Sequence, residues 1–467
     1  MLKLKHTVMI ATITFIFSLI FSAIIVQVAA GALTETRKSA LIETLSGLQL
    51  EDGSFATPEF PNEGTVGATI DVLTVLKILN ALDKVNTKKA VEYLVSQQDP
   101  DSGGFGKLLG YNNTFLGFDL YSTYGAVKVL RLLDALDRVN KTALVNFVLA
   151  RYNWSDGGFH ELTVEAFGRK YAISTFPIDF RTYLSKVAYA NSNIISTFLG
   201  VSILSELGEL NRINITRTLN FILSCKTNNG VFAPYPGASS EFQFLPGWSS
   251  LIRNPFNVDG SGGGIPYTYA AIGALKALGH LNLLTTEDRK KILEYLEICQ
   301  ENDTVYRGSD SSFGGFYIHK DDEKYHGYPR IYYTHQAVMI LFYLDMLDEA
   351  EAIVSKAIFY VLNQQELLHD NSWPVPRGRE YLKEVEFGKD WYGLFSGWLG
   401  CYVAGTYFAI TILNATNNLK LLDELTPRAK VTIRNIIVLS FTISVATVIV
   451  VFAASIGISN LSKSTYC

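Results

Sequence analysis

The sequence predicts an all-α fold: a double ring of six helical hairpins, an (α/α)6 toroid, with hydrophobic membrane segments at both ends. Three observations predict it. A polar step ending in glycine and an aromatic ring is written six times. An apolar segment led by threonine alternates with it. Both termini carry long uncharged apolar runs.

The first element is the polar–aromatic step. Its copies read LSGLQLEDGSF to Phe55, LVSQQDPDSGGF to Phe105, VLARYNWSDGGF to Phe159 and ILSCKTNNGVF to Phe232. A fifth, with an insertion, ends at Phe316, and a sixth, lacking glycine, ends at Trp373. Before each step lies an amphipathic run. In NTKKAVEYLVSQQ, Ala90, Val91, Leu94 and Val95 fall at helical spacing while Lys88, Lys89 and Glu92 face away, the pattern of a half-exposed helix. Glycine fits the stop because a helix often ends in a residue with positive φ. The aromatic ring then turns back onto the apolar body. No strand precedes these glycines, so the step reads as packing and not as a phosphate-binding loop.

The second element begins near Thr65, Thr123, Thr197, Thr268, Thr334 and Thr406. Its copies recur at roughly 60–75-residue intervals, the loose period of a repeat architecture with loop insertions. These segments are apolar on nearly every side, as in Tyr124, Ala126, Val127, Val129, Leu130, Leu132 and Leu133. A helix that is hydrophobic all round is buried all round. Buried helices alternating with half-exposed ones imply an inner ring packed by an outer ring. About twelve helices and next to no sheet are expected.

The domain organisation follows. Residues 31–427 form the toroid. Residues 1–30 are read as a signal peptide or an N-terminal anchor, since an apolar run from Thr7 to Ala30 follows Lys3 and Lys5. The small residues Val28, Ala29 and Ala30 suit a cleavage site. Residues 435–458 have the roughly 20 apolar positions that cross a bilayer as a helix. Positive charges flanking the two runs favour a cytoplasmic ring, but a long domain between spans weakens that rule. The signal-like start and the glycosylation sequons at Asn112, Asn140, Asn153, Asn214, Asn302 and Asn414 favour the extracytoplasmic side. A membrane-anchored extracytoplasmic glycoprotein is the expectation, with the bilayer as one partner and any protein partner unknown.

Composition excludes several classes. The net charge of −4 and scattered basic residues do not suggest nucleic-acid binding. The four cysteines, Cys225, Cys299, Cys401 and Cys467, form no CxxC pair, so neither a disulfide framework nor a structural zinc site is expected.

The paired motifs, TYAA-like inner starts and QxxDGGF-like outer ends, resemble the α/α toroid of protein prenyltransferase β subunits and of squalene–hopene type triterpene cyclases. The likeness covers about residues 36 to 425. In the cyclases the related glutamine-to-tryptophan repeat ties neighbouring outer helices together. The resemblance also implies sites, and these are missing. Zinc prenyltransferases place Asp and Cys before one inner helix and His before the threonine of the next. Aligning GGGIPYTYAA and IYYTHQ puts Gly264, Pro266 and Tyr333 there. A prenyl diphosphate cluster upstream is reduced to Arg253. The DxDD acid of the cyclases is absent, the nearest string being Asp321 to Glu323 in a polar loop. The Cys-Gly-Glu-Gln of complement-like thioester domains is absent too. His319, His326 and His335 with Asp321 and Asp322 fit no ligand spacing, so no metal and no cofactor are expected. Catalytic residues are not identified.

What remains is aromatic. Tyr124, Tyr267, Tyr269, Tyr332, Tyr333, His335, Tyr402 and Tyr407, together with Phe198, cluster at inner-helix starts. Aromatic walls with few polar groups suit an apolar or sugar ligand. At a mouth of the ring these side chains would be partly solvated. Alternatively, several simply fill the centre as packing. The primary reading is a toroid that binds an apolar, isoprenoid-like or lipid ligand, or a peptide. The alternatives are a cyclase- or transferase-type enzyme with a non-standard site and a glycan-active toroid. The segment from His160 to Asn193 has mixed polarity and is placed over one mouth.

Overall fold

The computed structural model describes residues 36–57, 60–109, 115–118, 120–160, 192–237, 263–302, 314–317, 331–366 and 402–424. The chain divides into two compact units, Ile42–Leu419 and a second formed by Met1–Leu41 with Lys420–Cys467. In the second unit the Arg37 N–H donates to the Glu424 carbonyl at 2.9 Å. The terminal runs at 1–30 and 435–458 lie outside the described residues. Among the described residues, no helix is long and apolar enough to cross a membrane.

Twelve α-helices are described, and they alternate in character. The outer set is α1 (Arg37–Ser46), α3 (Thr87–Ser96), α5 (Lys141–Leu149), α7 (Ile215–Ser224), α9 (Thr286–Cys299) and α11 (Glu351–Glu366). The inner set is α2 (Val66–Ile78), α4 (Leu120–Leu132), α6 (Ile194–Leu207), α8 (Ile265–Ala277), α10 (Ile331–Tyr343) and α12 (Tyr402–Ala415). Each inner helix packs on the next, and α12 packs on α2, which closes the ring. The inner helices are enclosed as expected. Every residue from Ser196 to Leu204 of α6 is buried, and Val127 and Leu130 of α4 have no exposed surface.

Two short ribbons depart from the all-helical expectation. Strands β1 (Phe55–Thr57) and β2 (Phe60–Thr65) pair antiparallel, as do β3 (Lys107–Leu109) and β4 (Phe115–Phe118). Both follow a glycine–aromatic step, where the chain must travel back to the next inner helix, and pairing satisfies its backbone groups on the way.

The repeat motif is a set of hydrogen bonds. The N–H groups of Phe55, Phe105, Phe159, Phe232 and Phe316 donate to the hydroxyls of Thr69, Thr123, Thr197, Thr268 and Thr334 at 2.9–3.1 Å. The hydroxyls of Thr69, Thr197 and Thr268 donate in turn to a carbonyl one helical turn back. Both groups are buried, so each needs the other. In the first repeat the motif threonine is therefore Thr69. Thr65, the expected position, instead caps α2 by accepting from the Ala68 N–H. The five phenylalanine rings have no exposed surface.

The connections repeat as well. A one-turn 3-10 helix follows each of α2, α4, α6 and α8 (Leu82–Lys84, Leu136–Arg138, Leu210–Arg212 and Leu281–Leu283). Asn86, Asn140 and Asn214 then cap α3, α5 and α7 by accepting from an N–H three residues on. Thr285 and Asp288 form a reciprocal capping box on α9. Such caps satisfy amides that a helix start leaves open. Two of the glycosylation sequons, Asn140 and Asn214, are thus also helix caps. A third, Asn153, uses its side-chain amide on Asp156 and Ser192.

Candidate ligand site at the centre of the ring

The residue after each motif threonine points to the centre. In order around the ring these are Ile70, Tyr124, Phe198, Tyr269, His335 and Tyr407. In the first five the threonine is fixed by the phenylalanine amide, so its successor is fixed in direction too. Three edge contacts and one tilted contact link five of them. Tyr124 meets Phe198 at 5.6 Å between centroids, and Phe198 meets Tyr269 at 5.6 Å. Tyr269 meets His335 at 6.0 Å, and His335 meets Tyr407 at 6.0 Å. Edge and offset arrangements of this kind are favourable for aromatic rings. The belt is closed on the α2–α4 side by Ile70, whose side chain packs where a Cβ on Gly125 would lie.

Of the aromatic candidates, Tyr124, Tyr269, His335 and Tyr407 share this belt. Tyr332 joins it through Phe408, at 5.2 Å. Tyr267 and Tyr333 stand one residue before the threonine and are buried. The Tyr402 side chain lies outside the described residues, as do His319, Asp321, Asp322, His326 and most of the segment from His160 to Asn193. His335 is 4% exposed, so it is not the half-solvated mouth residue that its place at a helix start suggests. Ring neighbours enclose it, and its Nδ1 has no hydrogen-bond partner. Burial pushes its pKa down to about 3, with the Lys128 charge adding to the effect. His335 is therefore a neutral imidazole with one unused polar atom.

Below the belt the centre becomes polar. Lys128 of α4 is solvent-accessible, yet its charge acts on Asp71 of α2, Lys276 of α8, and His335 and Tyr343 of α10. A side chain that influences three other helices of a ring lies in its lumen. The phenol oxygens of Tyr407 and Tyr124 hold its ammonium above the ordinary lysine range, and burial opposes them. Burial raises the Asp71 carboxyl to about 7, and Lys128 only partly offsets this. Lys276 sits over the rings of Tyr343 at 4.1 Å and Phe342 at 5.1 Å. Burial, then Lys128, lowers its pKa. Tyr343 stacks on Tyr269 at 5.9 Å, and their hydroxyls are hydrogen-bonded. Burial raises both phenols.

Asp71, Lys128, Lys276 and Tyr343 are absent from the sequence-based candidates. Their signal is present in the chain: an ionisable residue inside a helix that is buried all round, as in ATIDVL and GAVKVL, must face a partner or a cavity.

The zinc positions do not fit a metal. Gly264 caps α8 and brings no side chain, Pro266 lies in that helix's first turn, and Tyr333 is 8% exposed. None of the three supplies the thiolate, imidazole or carboxylate that zinc takes. Among the described residues, no group of three His, Cys, Asp or Glu side chains converges elsewhere.

Comparison with known proteins agrees with this geometry. The model of the prenyltransferase alpha-alpha toroid domain matches residues 5–160, 116–243 and 265–381. The chain belongs to that family. It is 27% identical over 221 residues to the geranylgeranyl transferase type-1 subunit beta of Arabidopsis thaliana, a match covering 38% of this chain and 56% of the relative. The chain thus spans about half the length of that curated relative. Among solved structures, protein geranylgeranyltransferase-I of Candida albicans complexed with GGPP aligns with a TM-score of 0.50 at 14% identity. It covers 80% of this chain and 91% of its own. A type II terpene cyclase from Scytonema in complex with geranylgeranyl dihydroxybenzoate aligns at 0.49 and 16% identity, covering 82% and 97%.

Proposed function

We propose that this chain is a membrane-anchored toroid whose lumen binds an isoprenoid-like or lipid chain without the zinc chemistry of the transferases. One observation carries the reading: five rings from five successive inner helices line one belt, four of them set by the same threonine–phenylalanine hydrogen bond. An apolar chain against such a belt releases water from aromatic surface at little ordering cost, because the wall is already built. The isoprenoid ligands named for the aligned geranylgeranyltransferase and cyclase structures agree with a ligand of this class. The terminal apolar runs would hold the ring at the bilayer, on its extracytoplasmic side, where such ligands partition.

The test is direct. The purified full chain is extracted with organic solvent, and the extract is analysed for polyprenyl or acyl lipid. The chain is then titrated with geranylgeraniol. Stoichiometric lipid or saturable binding supports the reading. Absence of both, with oligosaccharide binding instead, would establish the glycan-active alternative.

A second reading has its own observation. The Asp71 carboxyl keeps its proton to about pH 7 inside the lumen, the property required of a general acid. An enzyme that protonates a double bond of its ligand, and recovers the proton when the resulting cation loses one, would use this group. Conversion of a bound polyprene by the wild type and not by Asp71→Asn would establish it.

A further inference from the structure

Asn86, Asn140 and Asn214 hold one place in three successive hairpins. Each caps an outer helix through its Oδ1, which accepts from the N–H three residues on. Each is exposed, and among the described residues nothing bonds its Nδ2. A side-chain amide divides its roles, the oxygen accepting and the nitrogen donating, so the cap leaves the nitrogen free. Asn140 and Asn214 also open Asn-x-Thr triplets, and the hydroxyl residues Thr142 and Thr216 are exposed. Asn153 opens the triplet Asn-Trp-Ser but is bonded differently. Its Nδ2 donates both hydrogens, to Asp156 Oδ2 at 3.0 Å and to Ser192 Oγ at 3.2 Å. Its Oδ1 accepts from the N–H and the hydroxyl of Ser155, and Ser192 is buried. The triplets of Asn112 and Asn302 run outside the described residues, and Asn414 lies in the last turn of inner helix α12.

We infer that Asn140 and Asn214 carry N-linked glycans and that Asn153 does not. This rests on the placement of the ring outside the cytoplasm. The modification is a glycosyl transfer from a sugar carried on a lipid phosphate, catalysed by a membrane-bound transferase. The asparagine Nδ2 forms a bond to the anomeric carbon of the sugar. The bond from that carbon to the phosphate oxygen breaks, and the lipid phosphate leaves with the electron pair. One Nδ2 proton goes to a base, so the product nitrogen keeps one hydrogen. At Asn140 and Asn214 the Oδ1 continues to cap α5 and α7, and the sugar points into solvent. At Asn153 the remaining hydrogen cannot serve both Asp156 and Ser192, and the sugar would displace a buried serine. Attachment before folding meets the same obstacle, because the loop then cannot close, and the folded protein is depleted of that form. The two glycans follow the repeat. They stand at the seams where Gln98 and Tyr152 fasten neighbouring outer helices, and they shield that sector of the outer wall from a protein partner.

The full chain is expressed in eukaryotic cells, purified in detergent as folded protein and analysed by glycopeptide mass spectrometry. Sugar on Asn140 and Asn214, with Asn153 bare, is the expected result. Lys88→Thr completes the same triplet at Asn86 and should add one further glycan, since that cap is exposed in the same way. Asn140→Asp should lose one glycan and keep the fold, because aspartate caps a helix as asparagine does. Sugar on Asn153 at the level of the other two overturns the division, as does sugar on Asn153 alone. Microsomes from the same cells, with protease added outside, report the topology. Bare Asn140 and Asn214 in a ring protected inside the vesicles overturn the inference alone. Bare sites in a ring degraded from outside overturn the extracytoplasmic reading, and the inference with it. Mass spectrometry of the wild type needs no variant, so a substitution that fails to fold leaves the test intact.

Discussion

Gln98 holds Asn140 from both sides. Its Nε2 donates to the Asn140 carbonyl at 3.1 Å, and its Oε1 accepts from the Asn140 N–H at 2.7 Å. The same Nε2 donates to the Gly103 carbonyl at 3.1 Å. The end of one outer helix is thereby fastened to the cap of the next. Gln49 does the same to Asn86, Tyr152 substitutes with its hydroxyl on Asn214, and Lys226 reaches Asp288 at 2.7 Å. Replacing Gln98 with alanine should lower stability by about 1–2 kcal/mol, the scale of three partly solvated hydrogen bonds. Gln98→Glu should cost more, because it aims a carboxylate at two carbonyl oxygens. Chemical denaturation of the three proteins gives the order.

Gly103 separates clash from strain. Its φ is +83°, and a Cβ there would lie 2.3 Å from the carbonyl carbon of Ala143 at the start of α5. Gly208, at the end of α6, has a φ of +69° but nothing within 4 Å of a Cβ. Gly208→Ala should therefore cost about 1–2 kcal/mol, the left-handed penalty alone. Gly103→Ala should cost several times that, because the backbone of α5 must move. Equal melting temperatures for the two variants would contradict the close approach.

Asp71 makes stability depend on pH in an unusual sense. Its folded pKa, about 7, lies above the ordinary carboxyl value of 3.8. The folded state thus holds the proton more tightly, and stability falls as pH rises from about 4 to 7. The full penalty above pH 7 is at most about 4 kcal/mol at about 1.4 kcal/mol per pH unit, less what lumen water screens. Asp71→Asn should match the wild type near pH 4 and exceed it at pH 8. Parallel curves across that range would place Asp71 in bulk solvent.

Tyr269 distinguishes ring from hydroxyl. It touches Phe198, His335 and Tyr343. Tyr269→Ala should weaken geranylgeraniol binding and destabilise the ring wall, by no more than the roughly 3–5 kcal/mol of a fully buried aromatic. Tyr269→Phe keeps the belt and should preserve affinity. A large fall in melting temperature with unchanged affinity would make the belt packing alone.

The proposed placement of the ring outside the cytoplasm is checked with protease on intact cells. Degradation of the ring before lysis is the expected result. Protection until lysis would support the count of flanking positive charges instead.

The repeat was legible because it is enforced locally. Phe105 and Thr123 are read from the two alternating motifs, and the bond between them pairs two buried polar groups. The belt was half legible. Tyr124, Tyr269 and Tyr407 are large aromatics beside a marked threonine. His335, also beside one, reads in the sequence as half-solvated, but Tyr269, Tyr407 and Phe408 on neighbouring helices cover it. The lumen charges were missed because Asp71 and Lys128 lie far apart in the chain and in different repeats. The packing of α2 on α4 brings them within each other's field, and the seating of α12 on α2 closes the ring around them.

That closure has a consequence for timing. The belt runs from Tyr124 to Tyr407, and α12 is both its last member and the helix that seats on α2. A growing chain emerging from the ribosome can assemble its first hairpins stave by stave, but it encloses no lumen until residue 415 is free. The lumen is therefore complete only when α12 seats, and any occupant must enter a finished barrel through an end, or be wrapped as the final stave closes.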